Sequence, residues 1–313
     1  MSYERFLVVG GSGFVGRHLV AALAARGASV VVPTRRRERA KQLILLPTVQ
    51  VVQADVRDAG ALAALAAGRD AVINLAGILH GPGFQAVHVE LAQAVVNACR
   101  RAGIRRLLHM SALGAHAEAP SEYLRTKGIG ERAVLAADDL EVTAFRPSVI
   151  FGPEDRFLNL FAKLSAFFPV LALASPEARF QPVYVGDVVK AMLAALDAPA
   201  RAPGAGGERY DLCGPREYTL RELVAFVCAA TGRRRLVVGL PDGLAWLQAW
   251  CLEWLPEPLL TRDNLASMRV PSVSASPFPF GLRPAALEAL APAWLAPAGP
   301  SAHFSRLRWR ARR

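Results

Sequence analysis

From Phe6 onward the apolar residues follow two alternating rhythms. Short, nearly continuous apolar runs occur at Phe6–Val9, Ser29–Val32, Val49–Gln53, Ala71–Leu75, Arg106–His109 and Val142–Phe145. Between them lie stretches with apolar residues three and four apart, at Phe14–Arg26, Ala59–Ala67, Ala86–Arg101 and Glu122–Ala137. The first kind predicts strands buried on both faces, the second helices. Strands separated by helices close into parallel units, so the first half predicts an α/β fold: a Rossmann-type, doubly wound parallel sheet. After Phe151 proline becomes frequent, and helical stretches alternate with short extended pieces such as Phe180–Val185 and Arg209–Leu212. Ala202–Gly207 reads as a Pro/Gly-rich loop. We expect one domain over 1–155, to which segments near 180–200 return, and a smaller, mainly helical C-terminal lobe over 156–313.

The first strand runs straight into FLVVGGSGFVG, with Gly10, Gly13 and Gly16 spaced G-x-x-G-x-x-G before a helix that Gly27 ends. Strand, glycines and helix in this order form a pyrophosphate site from backbone alone. Gly10 permits the tight turn, Gly13 lets a phosphate approach the main chain, and Gly16 lets helix and strand pack closely. Phe14 and Val15 open the helix, whose free N–H groups and partial positive charge favour an anion. The first domain is therefore expected to bind a dinucleotide.

Composition narrows the class. The chain of 313 residues is 53% hydrophobic and 20% charged, which supports a buried core and excludes disorder. No apolar run reaches the ~18–20 residues that span a bilayer. The glycine loop starts within ten residues of Met1, so no cleavable leader is expected. Cys99, Cys213, Cys228 and Cys251 are scattered and form no C-x-x-C, so no metal site or disulfide framework is expected and a reducing cytoplasm fits. The formal charge is +11, almost all of it from arginine. Such charge suits nucleic acid or an anionic membrane face, but its spread reads as compositional bias, and no nucleic acid beyond a dinucleotide is expected. Two clusters stand out, Arg35-Arg36-Arg37 and the terminal Arg306–Arg313.

The first cluster bears on the cofactor. An NAD site carries an acidic residue after the second strand. Here Val31-Val32-Pro33-Thr34 is followed by three arginines. A carboxylate ~5 Å from a 2′-phosphate would repel it by about 3 kcal/mol at an effective dielectric near 20, whereas arginine grips it. NADP(H) is favoured, with Arg35 or Arg36 as contact; NAD(H) is the alternative. Asp55 and Val56, after the third strand, are placed for the adenine. Leu75, Ala76 and Gly77, after the fourth, are placed for the middle of the cofactor.

Tyr123 and Lys127 stand four apart on one helical face, twelve residues after Ser111 at the end of the fifth strand. A lysine cation beside a phenol stabilises phenolate and brings it toward useful acid–base work. Ser111 would hold a substrate oxygen, and Lys127 would also reach the nicotinamide ribose.

Taken together, GGSGFVG, NLAG, Ser111, Y-x-x-x-K, Arg146-Pro147 and Val185-Gly186-Asp187-Val188 resemble the short-chain dehydrogenase/reductase superfamily in its extended form. HMSALGA, FRPSVIFGPEDRFLN, FQPVYVGDVV, YDLCGP and LTRDNLASM narrow the resemblance to atypical members related to accessory subunit nine of mitochondrial complex I. The resemblance implies a tightly held NADP(H), with Pro147 and Ser148 joining the cofactor contacts. It also implies an association with the respiratory chain or ubiquinone metabolism, and catalysis by Ser111, Tyr123 and Lys127. One departure matters: His88 takes the place of the usual asparagine. It either relays a proton or packs, and packing is the expectation.

In the second lobe Trp246, Trp250 and Trp254 recur every four residues within DGLAWLQAWCLEWL. A helix apolar nearly all round is expected to be buried; the alternative is a docking helix for a partner or a headgroup layer. Phe157, Phe161, Phe167 and Phe168 either line an apolar pocket, for a small apolar substrate such as a quinone, or form core. The tail with Trp309 leaves open peripheral attachment to the inner face of a membrane. Three functions are consistent with these residues: an NAD(P)-dependent oxidoreductase, a non-catalytic structural or assembly subunit holding NADPH, and a nucleotide-sugar epimerase or dehydratase.

Overall fold

Residues 3–199, 207–256 and 258–296 are described by the computed structural model. The basic tail with Trp309 and most of the Pro/Gly-rich loop lie outside the described residues.

The N-terminal half alternates β1 (Arg5–Val9), α1 (Phe14–Ala25), β2 (Ser29–Thr34), α2 (Lys41–Ile44), β3 (Val49–Gln53), α3 (Ala59–Ala66), β4 (Ala71–Asn74), α4 (Leu91–Ala102), β5 (Arg106–Met110), α5 (Glu122–Leu135) and β6 (Glu141–Pro147). The remainder holds β7 (Ile150–Phe151), α6 (Phe157–Phe167), β8 (Val170–Leu173), β9 (Arg179–Phe180), β10 (Val183–Tyr184), α7 (Val185–Asp197), β11 (Glu208–Leu212), β12 (Tyr218–Thr219), α8 (Leu220–Ala230), β13 (Leu236–Gly239), α9 (Asp242–Glu253) and α10 (Arg262–Met268). Seven strands form one parallel sheet in the order β11-β6-β5-β4-β1-β2-β3. The seventh, Glu208–Leu212, belongs to this sheet and not to the second lobe where it was expected, because its backbone pairs with β6 from Thr143 to Pro147.

Period two sorts the strand side chains between two cores. Phe6 and Val8 of β1 face α1 and α7, while Leu7 and Val9 face α3, α4 and α5. On β5, Leu108 and Met110 take the first face and Leu107 the second. Fully burying each such side chain stabilises by roughly 1.5–3 kcal/mol, so the register is strongly fixed. The expected helix 86–101 begins with a π-helical turn at Gln85–Glu90 before α4. Gly103 in the left-handed conformation stops α4 (φ 69°).

The second lobe packs α6, α8, β8 and the segment 287–295 around Phe151, Leu158, Leu223 and Val227. Phe157 and Phe161 join this core edge to face at 5.4 Å, whereas Phe167 and Phe168 are 81% and 53% exposed. The tryptophan helix is the larger departure. Only Ala245 and Ala249 of α9 are buried, and Trp246, Trp250 and Trp254 are 50%, 40% and 79% exposed. The expectation of a buried helix is overturned, since α9 lies on the lobe through its two alanines and turns its tryptophans outward.

Candidate functional site

The glycine turn is built as tightly as its spacing requires. Gly10 has φ 80°, and a Cβ there would lie 2.8 Å from the Leu75 carbonyl carbon, against the end of β4. A Cβ on Gly16 would stand 2.5 Å from the Gly10 carbonyl oxygen, so Gly16 packs α1 against the turn itself. Gly13 is exposed and N-caps α1 without a side-chain bond, leaving the helix's first amides uncapped by any side chain, with Phe14 and Val15 as the first helical residues. This cradle of bare amides, which Cβ atoms would fill, fits a dinucleotide pyrophosphate. The turn after β7 closes over the start of α1: a Cβ on Gly152 would meet the Phe14 ring at 3.1 Å, and Glu154 pairs with Arg17 at 2.9 Å.

At the end of β2, Arg35 and Arg36 are exposed, and the buried Thr34 hydroxyl bonds the Arg36 backbone and holds the turn. Asp55 is half-buried and paired with Arg57 at 2.6 Å. The Arg57 guanidinium and amide, with a smaller pull from Arg35, hold its carboxyl down at about 2. Val56 packs on the α3–α5 core. The edge where an adenosine ribose would lie thus carries Arg35 and Arg36, and its Asp55 carboxylate is already paired with Arg57.

Under α4 and α5 sits a buried polar cluster. Asn74 Oδ1 accepts the Ala76 N–H (3.1 Å), which directs its Nδ2 to donate to His109 Nδ1 (3.3 Å). His109 therefore carries its proton on Nε2, which is buried without a partner in the structure. His88 Nε2 accepts the Ile78 N–H (3.2 Å), so its proton sits on Nδ1, 2.9 Å from the Thr126 hydroxyl, which in turn donates to the Glu122 carbonyl (2.8 Å). Both ring nitrogens of His88 are committed, and its ring packs edge-on against Tyr123 at 5.5 Å. His88 packs, as expected. Burial, then the Lys127 charge, holds both histidines neutral, pulling each down to about 3.

Lys127 is buried, and its Nζ donates to the Met110 carbonyl (2.9 Å) and the Ala76 carbonyl (3.3 Å). It thereby joins the ends of β4 and β5, and it lies 3.1 Å from where a Gly77 Cβ would stand. Burial lowers the ammonium to about 8, with Glu131 pulling it up. The expected lowering of the phenol is not seen. Burial drives the Tyr123 hydroxyl up to about 12, while the Lys127 ammonium spends its bonds on two carbonyls. Tyr123 packs against the cluster of Ala112, Ala115, Ala119 and Leu124 that follows Ser111. Ser111 is buried, and its hydroxyl has no partner in the structure.

Three further residues hold the site, and the sequence reading gave none of them these roles. Asp263, in the first turn of α10, accepts the Glu122 N–H (2.6 Å) and the Tyr123 N–H (3.2 Å), and Ser121 Oγ accepts the Leu124 N–H. The second lobe therefore supplies the cap of the helix that carries Tyr123. The only local signal was the Thr261–Asn264 capping box, which starts α10 and sets Asp263 in its first turn. Glu131, buried one turn beyond Lys127, accepts from Arg146 of β6 and Arg209 of β11. Ser148 differs from its expected role: its hydroxyl is held by Ser272 (2.7 Å to the carbonyl) and Gln181, tying the C-terminal segment to β6. Its N–H is also taken, by the Leu212 carbonyl (3.0 Å), and Pro147 beside it is buried.

A parallel sheet with a glycine cradle, with Ser111 at the end of β5 and Tyr123 and Lys127 on α5, defines a protein of the extended dinucleotide-binding dehydrogenase/reductase class. The chain belongs to the NAD dependent epimerase/dehydratase family, whose model matches residues 6–213. More particularly, it is 30% identical over 298 residues to the mouse NADH dehydrogenase [ubiquinone] 1 alpha subcomplex subunit 9, mitochondrial, covering 90% of this chain and 77% of that one. It is 34% identical over 239 residues to a ceramide reductase of Caulobacter vibrioides, covering 75% and 73%. The NAD complex of a Thermus thermophilus UDP-glucose 4-epimerase superposes with a TM-score of 0.60 at 21% identity, over 84% of this chain and 97% of that one, which shows a shared fold.

Proposed function

We propose that this chain holds NADP(H) and reduces a carbonyl group on a small apolar compound. The observation that carries the reading is the buried, unpartnered Ser111 hydroxyl at the carboxyl end of β5, next in the chain to the Ala112 cluster on which Tyr123 packs. An unsatisfied buried hydroxyl costs about 1–3 kcal/mol, which a substrate oxygen would offset. A bound nicotinamide supplies the hydride. Ser111 donates a hydrogen bond to the carbonyl oxygen, and Tyr123, protonated at neutral pH because burial raises it, gives up its proton as that oxygen becomes an alcohol. Lys127 orients the ends of β4 and β5 and is placed for the ribose hydroxyls. Arg35 and Arg36 support a 2′-phosphate. The relatedness to a ceramide reductase supports reduction of an apolar substrate.

A second reading has one specific observation in its favour. The Lys127 ammonium bonds two carbonyls and burial keeps the Tyr123 hydroxyl up at about 12, and a subunit that keeps NADP(H) as a structural element of a respiratory assembly needs no tuned phenol. Two measurements separate the readings. Nucleotide released by denaturation is expected to be NADP(H), and NAD(H) in its place refutes the role of the arginines. Tyr123→Phe is expected to fail to complement a deletion strain, with turnover lowered by about 10²–10⁴. Full complementation by this variant, with nucleotide still bound, establishes the subunit role.

A further inference from the structure

The outward side of α9 is apolar along its length. Leu244, Trp246, Leu247, Trp250, Cys251 and Trp254 are all exposed, and its buried side holds Ala245 and Ala249. This inverts the usual arrangement of a surface helix. The apolar face continues beyond the helix. Gln248 Nε2 donates to the Ala172 carbonyl and joins α9 to β8, where β8 and β13 pair Val170 with Leu236 and Ala172 with Val238. Val170, Leu236 and Val238 are exposed there, and Phe167 and Phe168 extend the patch at the end of α6.

Its border is cationic. Lys163 and Arg234 are exposed, and Arg233 and Arg235 fold back onto α6, bonding the carbonyls of Ala162 and Ser165. Among the described residues no acidic side chain pairs with any of these four. Arg262 lies over the Trp246 ring at 5.4 Å. A contiguous apolar face that bears three tryptophans and is edged by unneutralised cations complements a negatively charged, wet-to-oily boundary. No helix among the described residues is long and apolar enough to cross a membrane, so α9 would lie in the boundary plane.

We infer that the α9 face, with the outer side of β8 and β13, seats the protein on an anionic lipid bilayer, with Trp246, Trp250 and Trp254 at headgroup depth and Lys163 and Arg233–Arg235 on the phosphates. Tryptophan favours that depth, and each cation near an anionic surface strengthens the attachment. This surface is separate from the dinucleotide site and does not depend on its chemistry.

The test uses the full chain and sucrose-loaded vesicles of phosphatidylcholine, with or without phosphatidylglycerol. The protein is expected to sediment with the anionic vesicles at least tenfold more strongly than with neutral ones. Trp246→Ser, Trp250→Ser and Trp254→Ser combined are expected to lower that partitioning at least tenfold, and Lys163→Glu with Arg234→Glu to bring it to the neutral-vesicle level. An unchanged urea-unfolding midpoint shows that each variant is folded. A second measurement needs no change to the patch: in a Trp309→Phe chain, brominated phosphatidylglycerol is expected to quench at least half of the tryptophan emission. Undiminished binding by the triple tryptophan variant overturns the inference, as does the absence of quenching. A wild-type dimer that the tryptophan variant converts to monomer, with neither binding vesicles, assigns the face to self-association and equally overturns it.

Discussion

Helices α4 and α9 are each twelve residues long and rich in apolar side chains, yet they meet water in opposite ways. Leu91, Ala92, Val95, Val96, Ala98 and Cys99 of α4 are buried, and Gln93, Asn97, Arg100 and Arg101 lie away from that stripe. In α9 the apolar residues cover both sides, so no periodicity selects the inner face. The lobe takes the side with alanine, the flattest contact, and leaves the tryptophans outside. Apolar content thus shows that a helix needs a covering, and only its period shows where that covering lies.

Truncation gives the sharpest test of this contrast. Leu91→Ala empties a fully packed site and is expected to cost about 3 kcal/mol in urea unfolding, whereas Leu247→Ala, at a half-exposed position, is expected to cost less than about 0.5 kcal/mol. Equal costs would mean that α9 is covered within the protein itself. Added volume makes the same comparison from the other side. Gly16→Ala places a methyl 2.5 Å from backbone and is expected to destabilise by about 1–3 kcal/mol and to abolish dinucleotide binding in calorimetric titration. Nothing lies within 4 Å of a Cβ on Gly243, so Gly243→Ala at the start of α9 is expected to be neutral or to stabilise by up to about 1 kcal/mol.

Asp263 tests the link between the lobes. Asp263→Ala removes a carboxylate that holds two amides of α5, with an expected loss of about 2 kcal/mol, and Asp263→Asn is expected to recover part of it. An unchanged midpoint would show that α5 is capped sufficiently by Ser121. The last test reads a slope against pH. His88 is held neutral in the folded chain, at about 3 against 6.5 when unfolded. The unfolded state therefore binds the extra proton first. The contribution is complete above pH 6.5 and is lost as pH falls toward 3, at about 1.4 kcal/mol per unit. His88→Asn is expected to flatten the fall in stability between pH 6 and 4 by one proton, and parallel slopes would show that the ring is protonated in the fold.

Much of the site was legible because it depends on local backbone chemistry. The positions of Gly10, Gly13 and Gly16 could be read from spacing, and at Gly10 and Gly16 a Cβ would stand under 3 Å from backbone, which leaves room only for glycine. Ser111, Tyr123 and Lys127 could be placed at strand ends from the β–α order. Their protonation states could not, because both the Tyr123 hydroxyl and the Lys127 ammonium answer to burial, which only the packed structure decides. Ser148 resembled a cofactor contact in sequence, but its partners Ser272 and Gln181 lie 124 and 33 residues away.

By itself the sequence determined the parallel sheet, the dinucleotide cradle and the cationic end of β2, since period, glycine spacing and charge act over a few residues. Tertiary structure alone decided that Glu208–Leu212 completes the sheet, that Asp263 caps the helix of Tyr123, and that the tryptophans of α9 face outward. The physical reason is common to all three. Each depends on which surface finds a complementary one after the chain has folded back on itself, and that matching is not encoded in the neighbouring residues.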